Sequence, residues 1–88
     1  MKLIRRSTQF KKDYKRVKKS GKNLAELKQV INKLADDNNL EPKYHDHVLI
    51  GNYAGCRECH LEPDWLLIYR TSSTELSLVR TGSHSELF

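Results

Sequence analysis

The sequence predicts an α+β domain in which a short N-terminal strand and a helical hairpin pack on a small, mainly antiparallel, twisted sheet. The first 35 residues contain two segments whose apolar side chains recur with the period of a helix. The last third contains three apolar segments separated by short polar turns, a pattern typical of antiparallel strands. Helices followed by a run of strands indicate the α+β class, and we interpret residues 1–88 as one domain.

The N-terminal part begins with a predicted strand at residues 2–6, after which Ser7 or Thr8 can cap a helix. The apolar stripe of this first helix consists of Phe10, Tyr14 and Val17. Ser20-Gly21 is expected to end it.

A second helix follows at once. Asn23 and Glu26 resemble a capping box with Asn in place of Ser or Thr. The apolar positions of this helix are Leu24, Leu27, Val30, Ile31 and Leu34. The polar run 36–39 has turn chemistry and ends this helix. The glycine turn at Ser20-Gly21 joins the two helices into an antiparallel hairpin.

The second half predicts strands joined by short connections. We expect them at 48–50, 56–62, 65–70 and 75–81. Pro63-Asp64 forms the turn between the second and third of these strands. Gly82 ends the last strand, and 83–88 is a short tail.

The net charge of +5 is distributed unevenly. Residues 1–33 hold twelve Lys or Arg and two acids, whereas residues 34–88 hold four Lys or Arg and nine acids. Basic charge packed into one helical segment indicates contact with a polyanion, although a solvated helix face has the same composition. The candidate RNA- or ribosome-binding residues are Lys11, Lys12, Lys15, Arg16, Lys18 and Lys19. No apolar stretch reaches the roughly 20 residues of a membrane span, so we expect a cytoplasmic protein without a membrane partner.

Cys56 and Cys59 precede His60 in the C-x-x-C-H spacing of c-type haem attachment. The string lies on a predicted strand, where residues i and i+3 point to opposite faces. That geometry disfavours a haem, a zinc ion or a disulfide. We therefore predict no cofactor and no metal site, and two reduced cysteines of which one is buried.

Seven residues of the second half have the chemistry that RNA cleavage requires. They are His47, His60, Asp64, Arg80 and His84 as candidate catalytic residues, and Trp65 and Phe88 as candidate base-stacking residues. Imidazoles exchange protons near pH 7, an arginine fork matches phosphoryl oxygens, and aromatic rings stack bases. Neighbouring strands lie about 5 Å apart, so these groups can share one surface.

Each of these residues also has an ordinary structural interpretation. Any single histidine can be a surface or core residue, and Asp64 after Pro63 is common turn chemistry. Trp65 opens an apolar strand and can belong to the core. Arg80 can pair with Glu75 or Glu86. The residue types alone leave both interpretations open.

Three segments carry a resemblance to a known family. They are Tyr44–Gly51, Cys56–Tyr69 and Arg80–Phe88. With them, the chain resembles the YafQ branch of the RelE superfamily of type II toxin–antitoxin mRNA interferases. The pattern differs in two places, since relatives often have proline where Val48 stands, and the cysteine pair is not part of it.

The resemblance implies a RelE-like, microbial ribonuclease-like fold and a toxin that cuts mRNA in the ribosomal A site without a metal. It places functional residues at all seven positions named above. Our hypothesis for the reaction is attack by the 2′-hydroxyl, with His84 as general acid and Arg80 stabilising the phosphorane. His47, His60 and Asp64 remain alternatives for the base. The implied partners are the ribosome and mRNA, a DinJ-like antitoxin, and operator DNA only through the antitoxin complex.

Two other functions remain as alternatives. The basic segment alone fits a non-catalytic domain that binds RNA or the ribosome and inhibits translation. The cysteine string fits a metal or haem protein, which a metal-free sample with a featureless visible spectrum would rule out.

Overall fold

The computed structural model describes residues 1–88 and confirms the predicted α+β class. The helices and strands are, in chain order, β1 (Leu3–Arg6), α1 (Thr8–Lys19), α2 (Leu24–Ala35), β2 (His47–Val48), β3 (Arg57–Glu62), β4 (Trp65–Thr71), β5 (Glu75–Gly82) and α3 (His84–Leu87). Two 3₁₀ turns, Pro42–Tyr44 and Gly51–Tyr53, flank β2. The segment that we predicted only as a short tail thus contains one helical turn.

The five strands form one sheet in the order β1-β5-β4-β3-β2. β1 pairs with β5 in parallel, and the other three pairs are antiparallel, as the mainly antiparallel prediction requires. β2 lies one residue earlier than predicted and is shorter. Ile50, which we placed in this strand, is 90% exposed just before the second 3₁₀ turn.

The helix starts follow the predicted caps. The Ser7 hydroxyl accepts a hydrogen bond from the Phe10 amide, and the Asn23 side chain accepts from the amides of Ala25 and Glu26. Each of the two long helices has 12 residues. None of the helices combines the length and the apolar character that crossing a membrane requires.

The sheet separates two groups of buried side chains. The larger group includes Phe10, Val17, Leu27, Trp65 and Leu67, and it fills the space between the helical hairpin and the sheet. The smaller group lies on the opposite face, where Leu87 of α3 covers it; its members are Cys56, Leu66, Ile68 and Leu87.

The two cysteines lie in different groups, which confirms that they point to opposite faces. Our expectation that only one is buried is wrong. Cys56 is 2% exposed and Cys59 is 0% exposed. Two segments, α3 and the loop that precedes β3, cover the face on which Cys56 lies, so this face is not open to solvent there.

Candidate active site

The strand register brings three candidate catalytic residues, His47, His60 and Arg80, to the face opposite the helical hairpin. His47 of β2 pairs with Glu58 of β3, Glu58 with Ile68 of β4, and Ile68 with Arg80 of β5. Directly paired residues project to the same face, so these side chains form one row across the sheet. His60 starts the adjacent row on the same face.

His60 is the centre of a cluster of four imidazoles. Its ring centroid lies 5.8 Å from that of His45, 6.1 Å from that of His47 and 5.7 Å from that of His84. The loop before β2 therefore folds back and brings His47 to the site, which the sequence did not determine. His45 is a member that the sequence analysis missed. Its backbone is left-handed with φ 48°, which turns the chain into β2.

Glu58 lies between two of these imidazoles. One carboxylate oxygen is 3.3 Å from Nε2 of His47, and the other is 3.4 Å from Nε2 of His60. Nδ1 of His47 lies 2.7 Å from the carbonyl oxygen of His45, to which it donates. The carboxylate is only 5% exposed. The sequence analysis assigned no role to Glu58.

The environment of His60 favours its neutral form. Burial lowers the pKa of His60, and the nearby Glu58 carboxylate, which acts in the opposite direction, does not compensate. The neighbouring imidazoles His84, His45 and His47 lower this pKa further. His60 therefore has a free nitrogen lone pair at neutral pH.

Asp64 and His84 form a hydrogen-bonded pair between the β3–β4 turn and α3. The same carboxylate oxygen of Asp64 accepts from the backbone amide of His84 at 2.9 Å and from Nδ1 at 2.7 Å. These two bonds lower the pKa of Asp64. Ser83 and Glu86 cap α3 reciprocally and so fix the backbone that carries His84. With Nδ1 engaged, Nε2 is the His84 nitrogen available for proton transfer.

Arg80 has a partner that the sequence analysis did not consider. Its Nε and Nη2 donate to the two carboxylate oxygens of Asp13 at 2.7 and 3.1 Å. Both predicted partners bind other residues, since Glu75 pairs with Arg5 and Glu86 with Arg16.

The two candidate stacking residues have different environments. Trp65 is 0% exposed, and its indole Nε1 donates to the Thr81 hydroxyl at 3.0 Å. Because neither face of this ring is open to a base, we correct the base-stacking interpretation of Trp65 to a core role. Phe88 is 63% exposed, and its ring contacts the edge of Tyr53 at 5.4 Å between centroids. It remains available for stacking.

Comparison with known proteins identifies the family. A family model described as a bacterial toxin of type II toxin–antitoxin system, YafQ, matches residues 2–88. The chain belongs to the YafQ toxin family. It is 40% identical over 86 residues to the mRNA interferase toxin YafQ of Escherichia coli strain K12, covering 97% of this chain and 94% of that protein.

Solved structures of family members agree with the fold. The E. coli DinJ–YafQ toxin–antitoxin complex matches with a TM-score of 0.92 and 39% identity, covering 99% of this chain and 97% of that one. A metal-bound toxin from Helicobacter pylori matches with a TM-score of 0.93 and 48% identity over 100% of both chains. The family resemblance predicted from the three sequence segments is thus confirmed.

The basic residues of this YafQ family member divide into two kinds. Five lysines of α1 are exposed, as expected for contact with a polyanion: Lys11, Lys12, Lys15, Lys18 and Lys19. Arg16 is instead engaged with the rest of the protein. Its Nε lies 2.9 Å from the Glu86 carboxylate, and its Nη2 donates to the Thr81 carbonyl. Arg16 therefore links α1 to the helical turn that carries His84.

The sequence analysis predicted no metal ligands, yet the structure brings three suitable groups together. One ligand atom each from His47, Glu58 and His60 lies within 4.8 Å of the others. Two imidazole nitrogens and a carboxylate oxygen are a donor set that binds divalent transition metals. The C-x-x-C-H string does not form such a site, because Cys56 and Cys59 are buried on opposite faces of the sheet.

Proposed function

We propose that the protein is the toxin of a type II toxin–antitoxin system and cleaves mRNA in the A site of the ribosome. The observation that carries the proposal is the position of neutral His60 between Glu58 and the Asp64–His84 pair. Arg80 lies on the same face of the sheet. The mRNA interferase name of the E. coli relative supports the same chemistry.

In the proposed reaction, His60 is the general base. Its lowered pKa keeps the imidazole neutral, so it can take the proton of the 2′-hydroxyl. Asp64 is a weaker candidate because one of its oxygens already accepts two hydrogen bonds from His84. His47 is more exposed than His60 and donates Nδ1 to a backbone carbonyl.

His84 is the general acid in this proposal. Asp64 holds its Nδ1, and the opposite nitrogen, Nε2, gives a proton to the 5′-oxygen leaving group. Arg80 stabilises the charge on the phosphorane, and Phe88 stacks a base beside the scissile bond. The products are a 2′,3′-cyclic phosphate and a 5′-hydroxyl.

The proposed partners follow from the family and from the charge of α1. The exposed lysines contact ribosomal RNA phosphates without reading sequence. The E. coli relative forms a complex with DinJ, so we propose a DinJ-like antitoxin for this toxin. Operator DNA is reached only through that complex, and the ribosome places the toxin in the cytoplasm.

We also propose that cleavage requires no metal, since the histidines supply both proton transfers. A divalent cation on His47, Glu58 and His60 would occupy the lone pair of the base. EDTA should therefore leave the cleavage rate unchanged, and added Zn²⁺ should inhibit. Loss of cleavage in EDTA, with recovery of cleavage when Zn²⁺ is added, would contradict this part of the proposal.

The deciding experiment maps mRNA 5′ ends on programmed ribosomes with the wild type, His84→Ala, and Ser85→Ala as a control on the same helical turn. We expect new ends within A-site codons for the wild type and the control. His84→Ala should lose most cleavage at unchanged fold and ribosome affinity. Near-normal cleavage by His84→Ala would refute its role as acid. Translation arrest by the wild type without new ends would favour the non-catalytic binder.

A further inference from the structure

Asp13 is a buried carboxylate on a helix whose other charged residues are all basic. It is 0% exposed, although nothing in the proposed reaction uses it. An ionised carboxylate survives in such a place only when hydrogen bonds and cations compensate for lost solvation. Burial raises the pKa of Asp13, but hydrogen bonds from Arg80, Gln9 and the Thr81 amide outweigh burial and hold this pKa below its usual value.

The hydrogen bonds of Asp13 converge on β5. Two come from the Arg80 guanidinium at 2.7 and 3.1 Å, and one comes from the backbone amide of Thr81 at 3.2 Å. Gln9 donates a fourth at 3.2 Å, and Nη1 of Arg16 also lies 3.2 Å from a carboxylate oxygen of Asp13. Asp13 thereby contacts both the backbone that carries Arg80 and the side chain itself.

The bidentate contact fixes the plane of the guanidinium. Asp13 binds the edge formed by Nε and Nη2, and the Tyr53 hydroxyl lies 3.4 Å from Nη1 on another side. Arginine has five N–H donors. Three are engaged by these contacts, which leaves one on each terminal nitrogen for a ligand.

The Nη1 side of the guanidinium lies next to the C-terminal turn. The Tyr53 hydroxyl that contacts Nη1 also donates to the carbonyl of Leu87, in the turn that begins with His84. The charged guanidinium is thus held from α1 on one edge, while the other edge is next to the segment that carries the proposed acid.

We propose that Asp13 is a positioning residue for Arg80, acting on the phosphorane through the orientation that it imposes on the guanidinium. This inference rests on the proposed ribonuclease function. Without Asp13, the arginine keeps its charge but loses the contact that fixes its plane. A small misplacement of a stabilising group can cost about 10²-fold in rate.

The test is a double-mutant cycle of Asp13→Asn and Arg80→Ala in the ribosome-dependent cleavage assay. We expect Asp13→Asn to lower kcat by about 10²-fold with KM changed by less than about twofold. In the Arg80→Ala background, Asp13→Asn should lower kcat no further, because its effect passes through the missing guanidinium. Asp37→Asn, at an exposed acid beyond the end of α2, is the matched control.

A second measurement is independent of activity. In ¹H–¹⁵N spectra, the Nε–H resonance of Arg80 should be protected from exchange in the wild type and lose this protection in Asp13→Asn. The backbone amide resonances of β3 and β4 should keep their chemical shifts in Asp13→Asn, which separates reorientation of Arg80 from unfolding.

The outcomes distinguish this inference from the proposed function. Full activity in Asp13→Asn, or an equal loss of activity in both Arg80 backgrounds, overturns the positioning role alone. A wild-type protein that leaves mRNA intact on the ribosome overturns the proposed function, and this role with it.

Discussion

The core position of Trp65 gives a prediction that separates burial from RNA stacking. Trp65 is the only tryptophan, so the intrinsic fluorescence of the chain reports its environment. We predict that a saturating mRNA fragment leaves the emission unquenched, because the ring lies in the core between the sheet and the helices. The control is the Trp65→Phe/Phe88→Trp double variant, whose exposed C-terminal tryptophan should be quenched when a base stacks on it.

The structure also sets the stability cost of Trp65→Phe. The change removes the N–H that the buried Thr81 hydroxyl accepts, while that hydroxyl still donates to the Leu66 carbonyl at 2.8 Å. An unsatisfied buried group costs about 1–3 kcal/mol. Taking about 2 kcal/mol, Tm should fall by roughly 8–16 °C for a domain of this size.

Cleavage by Trp65→Phe at 20 °C, where this variant remains folded, should stay within about threefold of wild type, since the ring contacts no substrate. Quenching of wild-type Trp65 to the extent seen in the control variant would refute the core assignment. A drop in activity without any drop in Tm would refute it as well.

Four further predictions concern the site, its supports and the core. Because the Glu58 carboxylate raises the pKa of His60 against the larger lowering by burial, Glu58→Gln should move the acid limb of kcat/KM to lower pH; movement to higher pH contradicts this. The lowered pKa of His60 also means that the unfolded state binds more protons than the folded state below about pH 6.5. The free energy of unfolding, measured by urea titration, should therefore decrease as the pH is lowered through this range, and it should decrease less in His60→Gln. Ser83→Ala removes the cap of α3, so it should cost about 0.5–2 kcal/mol and lower kcat through His84, with unchanged stability refuting the cap. Burial raises the pKa of the Cys59 thiol to about 12, so it should resist alkylation at pH 8 until the protein unfolds, and rapid modification of the folded protein would contradict its burial.

The elements that the sequence predicted well are those with a clear burial period. Phe10 and Val17 lie on the buried side of α1, and the cap residues Ser7 and Asn23 start the helices as expected. These features depend on local spacing, which the sequence contains in full. The four-residue α3 was also encoded locally, since Ser83 and Glu86 have capping-box spacing, but the segment was interpreted only as a tail.

Trp65 was misassigned because β4 is apolar on both faces. Its first five residues are all buried, so alternation does not reveal which of them face the helices. The register with β3 shifts between His60 and Glu62, and this irregularity helps to determine the direction in which Trp65 points. Such a choice depends on pairing between strands, which a single sequence does not display.

Asp13 was missed for a different reason. It lies three residues after Phe10 and four before Val17, on the buried stripe of α1, where its position predicts burial. We counted it only as a charge within a basic segment. A carboxylate at a buried helical position requires a cationic partner, and the distant Arg80 becomes that partner only when β5 lies beside α1.

The charge balance of the site offers a physical reason for the proposed dependence on the ribosome. Three carboxylates lie in or beside the site: Glu58 contacts His60, Asp64 contacts His84, and Asp13 binds Arg80, while the central imidazole of His60 is neutral. Such a surface attracts a phosphate only weakly, because the guanidinium charge is already balanced by a buried carboxylate. The exposed lysines of α1 provide long-range attraction to RNA, but they place no particular phosphodiester at His60. A ribosome that holds the mRNA in place would supply this missing positioning, and cleavage of free RNA by the same residues should then be slower by orders of magnitude.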